Sequence, residues 1–295
     1  MAGREEKEEV TIQGLTRVHL SRLDKVLYPE SGITKQDVLL YYIRMAPFIL
    51  PFLRDRPLTL HRFPDGAGTE GFYEKDAPAG TPGYVDTFTH WSETAGREVH
   101  FVICNTLDTL VWIANLASLE IHTTLSKSGT YDTPDFLLFD IDPEPPRTFD
   151  DVIAAARIVS THLGEKGMRP YVKTSGKKGL HIVVPLEEGN TFSGIRDFAH
   201  RLGKEIARDT PWIVSEFSQS RDRGTIFIDY LQNARGKTMV APYSLRATPG
   251  ATVSTPLEWE ELRDGVRPED FNIHTVISRK RDPWREILED RQKIP

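Results

Sequence analysis

The stretch FLLFDIDPEPP, residues 136–146, decides the expected fold and the expected place of the chemistry. It begins as an apolar run and ends in three prolines that cannot donate to a sheet ladder, so it predicts a buried strand that stops there. Side chains two apart in a strand point to one face, roughly 6 to 7 Å from each other, so Asp140 and Asp142 share a face opposite Phe139 and Ile141. Such a carboxylate pair suits divalent cations, which prefer oxygen ligands.

The Asp-x-Asp pattern alone leaves other interpretations open. It also occurs in glycosyltransferases, in aspartate-nucleophile phosphatases and in surface turns, so a solvated strand end is an equal alternative at this point. Other parts of the chain have to discriminate between these possibilities.

Composition bounds the class of protein. With 295 residues and 39% hydrophobic content, the chain can bury a sizeable core as one large domain or two smaller ones. No apolar run approaches the roughly 18 residues of a membrane helix, and the charged residues 1–9, a predicted flexible tail, lack the apolar centre of a signal peptide. We therefore expect a cytoplasmic protein. The single cysteine, Cys104, excludes an internal disulfide and a multi-cysteine zinc site.

The charge is distributed unevenly. Proteins that bind nucleic acid without sequence preference are usually basic over most of their surface. This chain has a net charge of −6 and does not fit that description as a whole. Residues 171–248, however, contain 12 Lys and Arg against 8 Asp and Glu. We expect any polyanion site to involve this segment.

Hydrophobic periodicity, caps and turn residues predict the remaining elements. The predicted helices are one capped by Thr34 with Asp37 and ending at Pro47, a buried one over 108–119, one capped by Asp150 or Asp151 and closed by Gly167, one over 192–208, and short ones near 256–264, 268–278 and 283–291. The predicted strands lie within 10–20, in 57–73 before a glycine-rich loop, and at 171–173, 180–186, 225–228 and around 239–240.

The loop TSGKKG joins two of these strands and is rich in phosphate-binding groups. Ser175 offers a hydroxyl, Lys178 a cation, and Gly176 and Gly179 permit close approach of backbone N–H groups. The order of residues is not that of a Walker loop, and an exposed hairpin with incidental lysines is the alternative. His181 follows on the face that it shares with Val183.

Asp229 ends the apolar strand TIFID. A buried aspartate is costly unless it is paired or bound to metal, which favours a site shared with Asp140 and Asp142. Together with the basic loop and Arg246 further along the chain, three acids indicate a site for a nucleoside triphosphate.

Three further features are ambiguous by themselves. Lys25 and Lys35 flank a turn before a predicted helix N-terminus, where cations can hold a phosphate, although solvated lysines are the simpler interpretation. Phe63, beside Arg62, can stack on a base or belong to the core. His122 lies 18 residues before Asp140 and is a core or surface histidine by pattern alone.

The motifs FDIDP, SGKKGLH and FIDYLQN…KT..APYSLR, with DKVLYP…G.TK and RFP upstream, resemble the archaeo-eukaryotic primase superfamily in their order. Within it they are similar to the polymerase domain of bacterial ligase D, from prokaryotic non-homologous end joining. The resemblance runs from about Val10 to Leu262. It implies an α/β (α+β) fold of the primase-polymerase type, with a central mixed β-sheet flanked by helices in one domain over residues 10–295.

The resemblance also implies residue roles. Asp140, Asp142 and Asp229 would bind two divalent cations, Mn²⁺ or Mg²⁺, and act as the catalytic triad. Nucleotide binding would use Phe63 to stack on the base and Ser175, Lys178, His181, Lys237 and Arg246 to hold the triphosphate. Lys25 and Lys35 would bind a 5′-phosphate on DNA, and His122 would be an active-site residue of unspecified role. A family arginine is replaced by Asp222, so Arg221 and Arg223 are candidates to substitute for it.

The implied function is template-directed nucleotide transfer at double-strand breaks. The enzyme would fill gaps and extend ends of DNA that carries a downstream 5′-phosphate, use NTP or dNTP with a preference for ribonucleotides, and work at the nucleoid, not at a membrane, with a separate DNA ligase and an end-binding protein. A replicative primase is one alternative, disfavoured by the lack of zinc-binding cysteines and by the paired lysines. A non-catalytic end-bridging module is another, disfavoured by the complete aspartate triad. A glycosyltransferase leaves Asp229 and the basic loop unexplained.

Overall fold

The computed structural model describes residues 18–93, 95–216 and 224–295, and the helices and strands below are those of these ranges. The predicted tail and most of the predicted strand within 10–20 lie outside them. The α-helices are α1 (Lys35–Leu53), α2 (Leu107–Asn115), α3 (Phe149–Glu165), α4 (Phe192–Asp209) and α5 (Ile273–Val276). The strands are β1 (Val26–Tyr28), β2 (Ile33–Thr34), β3 (Leu58–Arg62), β4 (Phe72–Glu74), β5 (Asp86–Ser92), β6 (Arg97–Ile103), β7 (Ser118–Thr124), β8 (Phe136–Pro143), β9 (Tyr171–Thr174), β10 (Leu180–Pro185), β11 (Ile213–Val214), β12 (Ile226–Asp229), β13 (Thr238–Val240) and β14 (Pro256–Leu257).

The central sheet has the strand order β11-β12-β8-β10-β9-β14. Only the β11–β12 pair is parallel among its described strands, so the sheet is mixed, as predicted. Helices α3 and α4 contact each other and β8, and therefore cover one face of the sheet. Phe139 and Ile141 of β8 are fully buried, whereas the alternate residues Asp140 and Asp142 are partly exposed, which confirms the predicted division of faces.

A second sheet, of order β13-β7-β3-β4, is antiparallel. Its inner strand β7 is buried along its whole length, and helix α2 packs against it. Helix α2 in turn packs on α1. The buried apolar residues of both sheets and of these helices join in one cluster, which fixes the two sheets relative to each other.

Helix α1 begins as predicted and ends later than predicted. Thr34 and Asp37 form a capping box, with the Thr34 N–H donating to the Asp37 carboxylate at 2.8 Å. The prediction that the helix ends at Pro47 is wrong, because it continues through a second proline to Leu53. An interior proline costs about 3 kcal/mol, but full burial of an Ile, Leu or Phe side chain contributes about 1.5 to 3 kcal/mol. Ile49, Phe52 and Leu53 are all buried in this extension, so tertiary packing outweighs the local penalty.

Other helices differ from the prediction in their boundaries or are absent. Helix α2 ends at Asn115, because Ala117 adopts φ 56° and the chain then enters β7. Helix α3 is capped by Thr148, whose N–H donates to Asp151 at 2.8 Å, so Asp151 occupies the third helical position and is not the cap. Residues 283–289 form turns where a short helix over 283–291 was predicted. The short helix predicted near 256–264 is wrong as well, because this segment forms β14 and a single 3-10 turn at Trp259–Glu261. The remaining predicted helices and strands that lie wholly within the described ranges are present near their predicted positions.

Among the described residues, no helix combines the length and apolar character needed to span a membrane.

Candidate active site

A cavity of about 900 Å³ opens where the two sheets meet. Its walls combine Asp140, Asp142 and His181 of the central sheet, His122 and Val240 of the second sheet, the loop 175–178, Lys237 and Arg246. This volume lies in the range of about 300 to 1,000 Å³ that is usual for small-molecule sites. Most of the predicted site residues therefore meet at one place.

The register of the central sheet aligns four polar side chains in a row. Asp229 on β12 is directly opposite Asp140 on β8, which is opposite His181 on β10, which is opposite Lys173 on β9. Directly paired residues project from the same face, so the row lies across four strands. The Nε2 atom of His181 is 3.3 Å from Oδ1 of Asp140. Lys173 was not predicted to be part of the site, because nothing local distinguishes it from a strand-end lysine.

Asp142 lies one pleat further along β8 and faces the same side. Gly179, which directly precedes β10, lies close to Asp142: an added Cβ there would collide with the carbonyl oxygen of Ile141 and lie 2.7 Å from Oδ1 of Asp142. A side chain at position 179 would therefore push β10 away from the aspartates. This close approach is the physical reason for the last glycine of the SGKKG motif.

Charges within the row oppose and compensate one another. Burial by itself would raise the pKa of Asp140, but His181, Lys173 and Arg246 together bring that pKa below its ordinary value. Burial, followed by the charge of Asp140, raises the pKa of Asp229. Burial, with Lys173 next, lowers the pKa of His181 to about 4, so its imidazole is neutral at pH 7. The two neighbouring carboxylates of the row thus repel each other. Asp140 lines the cavity, whereas Asp229 is not among the described residues that line it.

Hydrogen bonds within the protein fix the basic loop. The Ser175 hydroxyl oxygen accepts from the backbone N–H of Gly179 at 3.1 Å and of Lys177 at 3.3 Å. A guanidinium N–H of Arg246 donates to the Ser175 carbonyl at 2.8 Å. Gly176 has φ +74°, and an added Cβ would lie 2.5 Å from Cγ of Arg246, so this glycine is needed both for its backbone conformation and for contact with the arginine stem. Loop and arginine form one rigid unit.

A fully buried carboxylate, Glu120 on β7, lies behind this unit and was missed from the sequence. It contacts His61, His122, Lys177 and Arg246 at 3.1 to 3.3 Å. His122 is thus part of the second sheet and pairs with Val240, not with the strand of Asp140. The sequence does contain an indication of its role. Glu120 lies within the otherwise apolar and threonine-rich run SLEIHTT, and a buried acid there, like Asp229, is costly unless it is paired or bound to metal.

Comparison with known proteins identifies the family. The family model described as "LigD, primase-polymerase domain" matches residues 34–284. The chain belongs to this family. It is 35% identical over 253 residues to the multifunctional non-homologous end joining protein LigD of Mycolicibacterium smegmatis, covering 84% of this chain and 33% of the relative. It is 33% identical over 286 residues to the corresponding protein of Pseudomonas aeruginosa, covering 94% of this chain and 34% of the relative. The chain therefore spans about a third of the length of these relatives.

A solved structure is similar over almost the whole chain. The polymerase domain of Mycobacterium tuberculosis ligase D, in complex with DNA, has a TM-score of 0.86 and 31% sequence identity, covering 94% of this chain and 99% of that one. The mixed α/β fold is therefore that of the LigD polymerase domain, as the motifs predicted.

This LigD primase-polymerase fold contains two groups of residues that are candidate metal ligands. His61, Glu120 and His122 are a group whose potential ligand atoms all lie within 4.8 Å of one another, and this donor set resembles a zinc site. Asp140, Asp142 and Asp229 supply only oxygen, which hard cations prefer. Burial and, after it, repulsion from Asp140 raise the pKa of Asp229, and a bound cation relieves such repulsion. The donor chemistry of the aspartates suits Mg²⁺ or Mn²⁺. They do not form an equally tight group among the described residues, so their binding of metal stays a prediction.

Tyr73 and Phe149 line the cavity, whereas the predicted aromatic side chain, Phe63, is not among the described residues that do. Phe63 is 6% exposed, packs 4.3 Å from the His61 ring, and is covered by Gly71, where an added Cβ would overlap the phenyl ring. Tyr73 is 61% exposed and stacks on His61 with 3.9 Å between ring centroids. Stacking of Phe63 on a base stays a prediction, and Tyr73 is a second candidate that the sequence analysis missed.

Lys25 and Lys35 are neighbours, as the turn between them predicted. The Lys35 N–H donates to the Lys25 carbonyl at 2.8 Å, and the Lys35 ammonium donates to the Ser21 carbonyl at 2.8 Å. Burial, then Arg22 and Lys25, lowers the pKa of Lys35 to about 8. Arg22 is thus a third cation of this cluster, hereafter the amino-terminal basic cluster. Asp65, the acid 3.5 Å from Lys25, is largely exposed.

Arg221, Arg223 and the intervening Asp222 lie outside the described residues, so their predicted role stays a prediction.

Proposed function

We propose that this chain is a template-directed nucleotidyltransferase of non-homologous end joining, which fills gaps and extends ends at double-strand breaks. The observation that carries the proposal is the cross-sheet row of Asp229, Asp140 and His181, with Asp142 beside it. Asp140, Asp142 and His181 line the cavity together with Arg246, and Asp229 is directly opposite Asp140 on the neighbouring strand. Membership of the LigD primase-polymerase family supports the same conclusion.

The three aspartates are the proposed ligands of two Mg²⁺ or Mn²⁺ ions. Such a pair, when bound, lowers the pKa of a primer 3′-hydroxyl and neutralises charge on the transferred phosphoryl group. Asp140 is held ionised by its neighbours, and His181 lies 3.3 Å from its Oδ1 atom, where it orients the carboxylate. Asp229 is oriented by the N–H of Leu231 at 2.9 Å and the side-chain amide of Gln232 at 3.1 Å.

The basic wall is the proposed site of the triphosphate. Lys178, Lys237 and Arg246 supply positive charge and N–H donors to phosphate oxygens, with Ser175 and His181 beside them. The Nδ1 atom of His181 is buried without a hydrogen-bond partner in the described part of the chain, which supports contact with a ligand. In the reaction the primer 3′-oxygen forms a bond to the α-phosphorus, the bond from that phosphorus to the bridging oxygen breaks, and pyrophosphate leaves.

The amino-terminal basic cluster is the proposed site for a 5′-phosphate at the far side of a gap. A terminal phosphate carries about −1.5 to −2 charge at pH 7, more than an internal diester. Three cations, two of which depress the pKa of Lys35, gain more from such an anion than well-separated lysines would. This explains how a chain of net charge −6 can hold DNA ends.

Further parts of the proposal rest on the family resemblance. We propose that residues 10–295 act as a single domain, that ribonucleotides are preferred, and that a DNA ligase and an end-binding protein are the partners at the nucleoid. The relatives are named as multifunctional end-joining proteins, which supports this context.

The decisive experiment is nucleotide addition on a gapped duplex, with and without the 5′-phosphate and with NTP or dNTP in parallel. We expect Mn²⁺- or Mg²⁺-dependent addition that is stimulated by the phosphate and faster with NTP. Asp140→Ala should abolish it. Activity without phosphate dependence moves the assignment to a primase, and absence of addition moves it to an end-bridging module.

A further inference from the structure

Glu120 contacts five groups through its two carboxylate oxygens. Oε1 lies 3.1 Å from the Lys177 ammonium, 3.2 Å from Nε of Arg246, and accepts the backbone N–H of Ala247 at 3.1 Å. Oε2 lies 3.2 Å from Nδ1 of His61 and 3.3 Å from Nε2 of His122. Three of these contacts are hydrogen bonds, from His61, His122 and the Ala247 N–H, and the other two are ion pairs with Lys177 and Arg246.

The carboxylate itself is withdrawn from the cavity. The Glu120 side chain is 0% exposed, whereas His122, Lys177 and Arg246 all line the cavity. Glu120 therefore cannot touch a nucleotide without displacing its own partners. Its effect on a ligand has to pass through the groups that it holds.

Arg246 shows how this works. Its guanidinium is fixed at one end by the Ser175 carbonyl, at 2.8 Å, and at the other by the charge of Glu120. The Nε atom is close to Glu120 but not aligned for a hydrogen bond, and it has no such partner among the described residues. Charge, and not a directed hydrogen bond, holds this end of the arginine. Arginine has five N–H donors, so others stay available to phosphate oxygens.

We infer that Glu120 is a positioning residue for nucleotide binding: it orients Arg246, Lys177 and His122 toward the triphosphate without contacting it. This rests on the proposed function, because it assigns a role within the same cavity. It also gives His122 a place in the site, since an acceptor-only carboxylate selects the tautomer in which Nε2 carries the proton.

The alternative for this cluster is a metal ion bound by His61, Glu120 and His122. The charge balance argues against such a metal ion, because the carboxylate of Glu120 already contacts the ammonium of Lys177 and the guanidinium of Arg246. A divalent cation would add two further positive charges to a buried group whose members, His61, Glu120 and His122, include no second acid. Both imidazoles would also have to give up their hydrogen bonds to Oε2.

The test is Glu120→Gln, which keeps the shape and removes the charge. We expect the nucleotide KM for gap filling to rise at least about tenfold, while kcat and binding of the phosphorylated gap change little, since only ground-state contacts to the nucleotide are loosened. In an Arg246→Ala background the same substitution should have a smaller effect, because the part of the Glu120 effect that passes through Arg246 is already lost.

A matched control separates positioning from general destabilisation. The partly buried Asp135 and the buried Arg56 form another carboxylate–arginine pair, with N–O distances of 2.6 and 2.7 Å, and neither lines the cavity. Asp135→Asn should lower the urea midpoint comparably and leave the nucleotide KM unchanged. If Glu120→Gln does not fold, Glu120→Asp keeps the charge but withdraws it by about 1.5 Å, and should raise KM as well.

The outcomes are distinguishable. A normal nucleotide KM in folded Glu120→Gln or Glu120→Asp protein overturns the inference, as does an equal rise in the Asp135→Asn control. Stoichiometric Zn²⁺ binding by the wild type that His61→Ala abolishes establishes the metal site in its place. If instead the wild type adds no nucleotide at all, the proposed function fails, and direct nucleotide binding by equilibrium dialysis still tests whether Glu120 positions Arg246.

Discussion

The amino-terminal basic cluster predicts an unusual pH dependence for binding of a 5′-phosphate. Lys35 is 6% exposed, and its pKa of about 8 results from burial and from the neighbouring Arg22 and Lys25. An ordinary lysine stays charged throughout the neutral range, because its pKa is about 10.4. Lys35 should therefore lose its charge within the range in which a DNA-binding assay can be run.

The sign and size follow from this pKa. Phosphate binding favours the ammonium form, so affinity is full below pH 8 and is lost as the pH rises through it. Between pH 7 and pH 9 the charged fraction falls from about 0.9 to about 0.1, which weakens binding about tenfold, or roughly 1.4 kcal/mol. The stability of the folded state does not fall over the same pH range on account of Lys35. Because unfolded Lys35 binds more protons between pH 8 and 10.5, this group makes folding more favourable as the pH rises there.

The assay is fluorescence anisotropy on a gapped duplex with and without the 5′-phosphate, from pH 7 to pH 9. The phosphate-dependent part of the affinity should fall about tenfold in the wild type, as the charged fraction does, and stay level in Lys35→Arg, whose guanidinium remains charged. Lys25→Arg is the matched control and should keep the fall, because Lys35 is still present. An equal fall on dephosphorylated DNA, or no fall in the wild type, would refute the assignment of Lys35.

Four substitutions test the rest of the site. Asp140→Ala should abolish nucleotide addition with gapped-DNA binding largely retained in anisotropy, and near-normal addition would remove the aspartates from the reaction. Gly179→Ala should lower both the urea midpoint and the addition rate because its methyl group meets the carbonyl of the neighbouring strand, whereas Gly83→Ala, in open space, should change neither. Phe63→Ala should cost about 3 to 5 kcal/mol in urea unfolding, as for other buried aromatics. Tyr73→Ala should leave unfolding nearly unchanged and weaken nucleotide binding by about 1 to 3 kcal/mol if the ring stacks on a base; a strong effect on unfolding and none on binding would contradict this.

The elements whose signals are local could be predicted from the sequence. The alternation and the prolines around Asp140 and Asp142 determine a strand with two carboxylates on one face, because the two-residue period of a strand is a property of the backbone. The capping box of Thr34 and Asp37 is equally local. The motif order also identified the family, which the comparison confirms.

Elements whose signals conflict could not be predicted. Helix α1 runs through two prolines because the side chains beyond Pro47 are buried, and burial depends on which surfaces meet. Phe63 looked equally suited to a base or a core, and only the packing of Gly71 and His61 against its ring places it in the core.

The assembly of the site itself was decided by tertiary structure. The residues around Asp229 do not indicate whether it pairs with Asp140 or with a position two residues further along β8. The register depends on hydrogen bonds between strands that are far apart in sequence. Glu120 is the clearest case. Apart from His122 on its own strand, its partners come from three separate parts of the chain, and a buried carboxylate is stable only where such partners converge. The sequence by itself determined which groups the chain carries for phosphate and metal chemistry, and the fold decided which of them face the cavity and which hold the others in place.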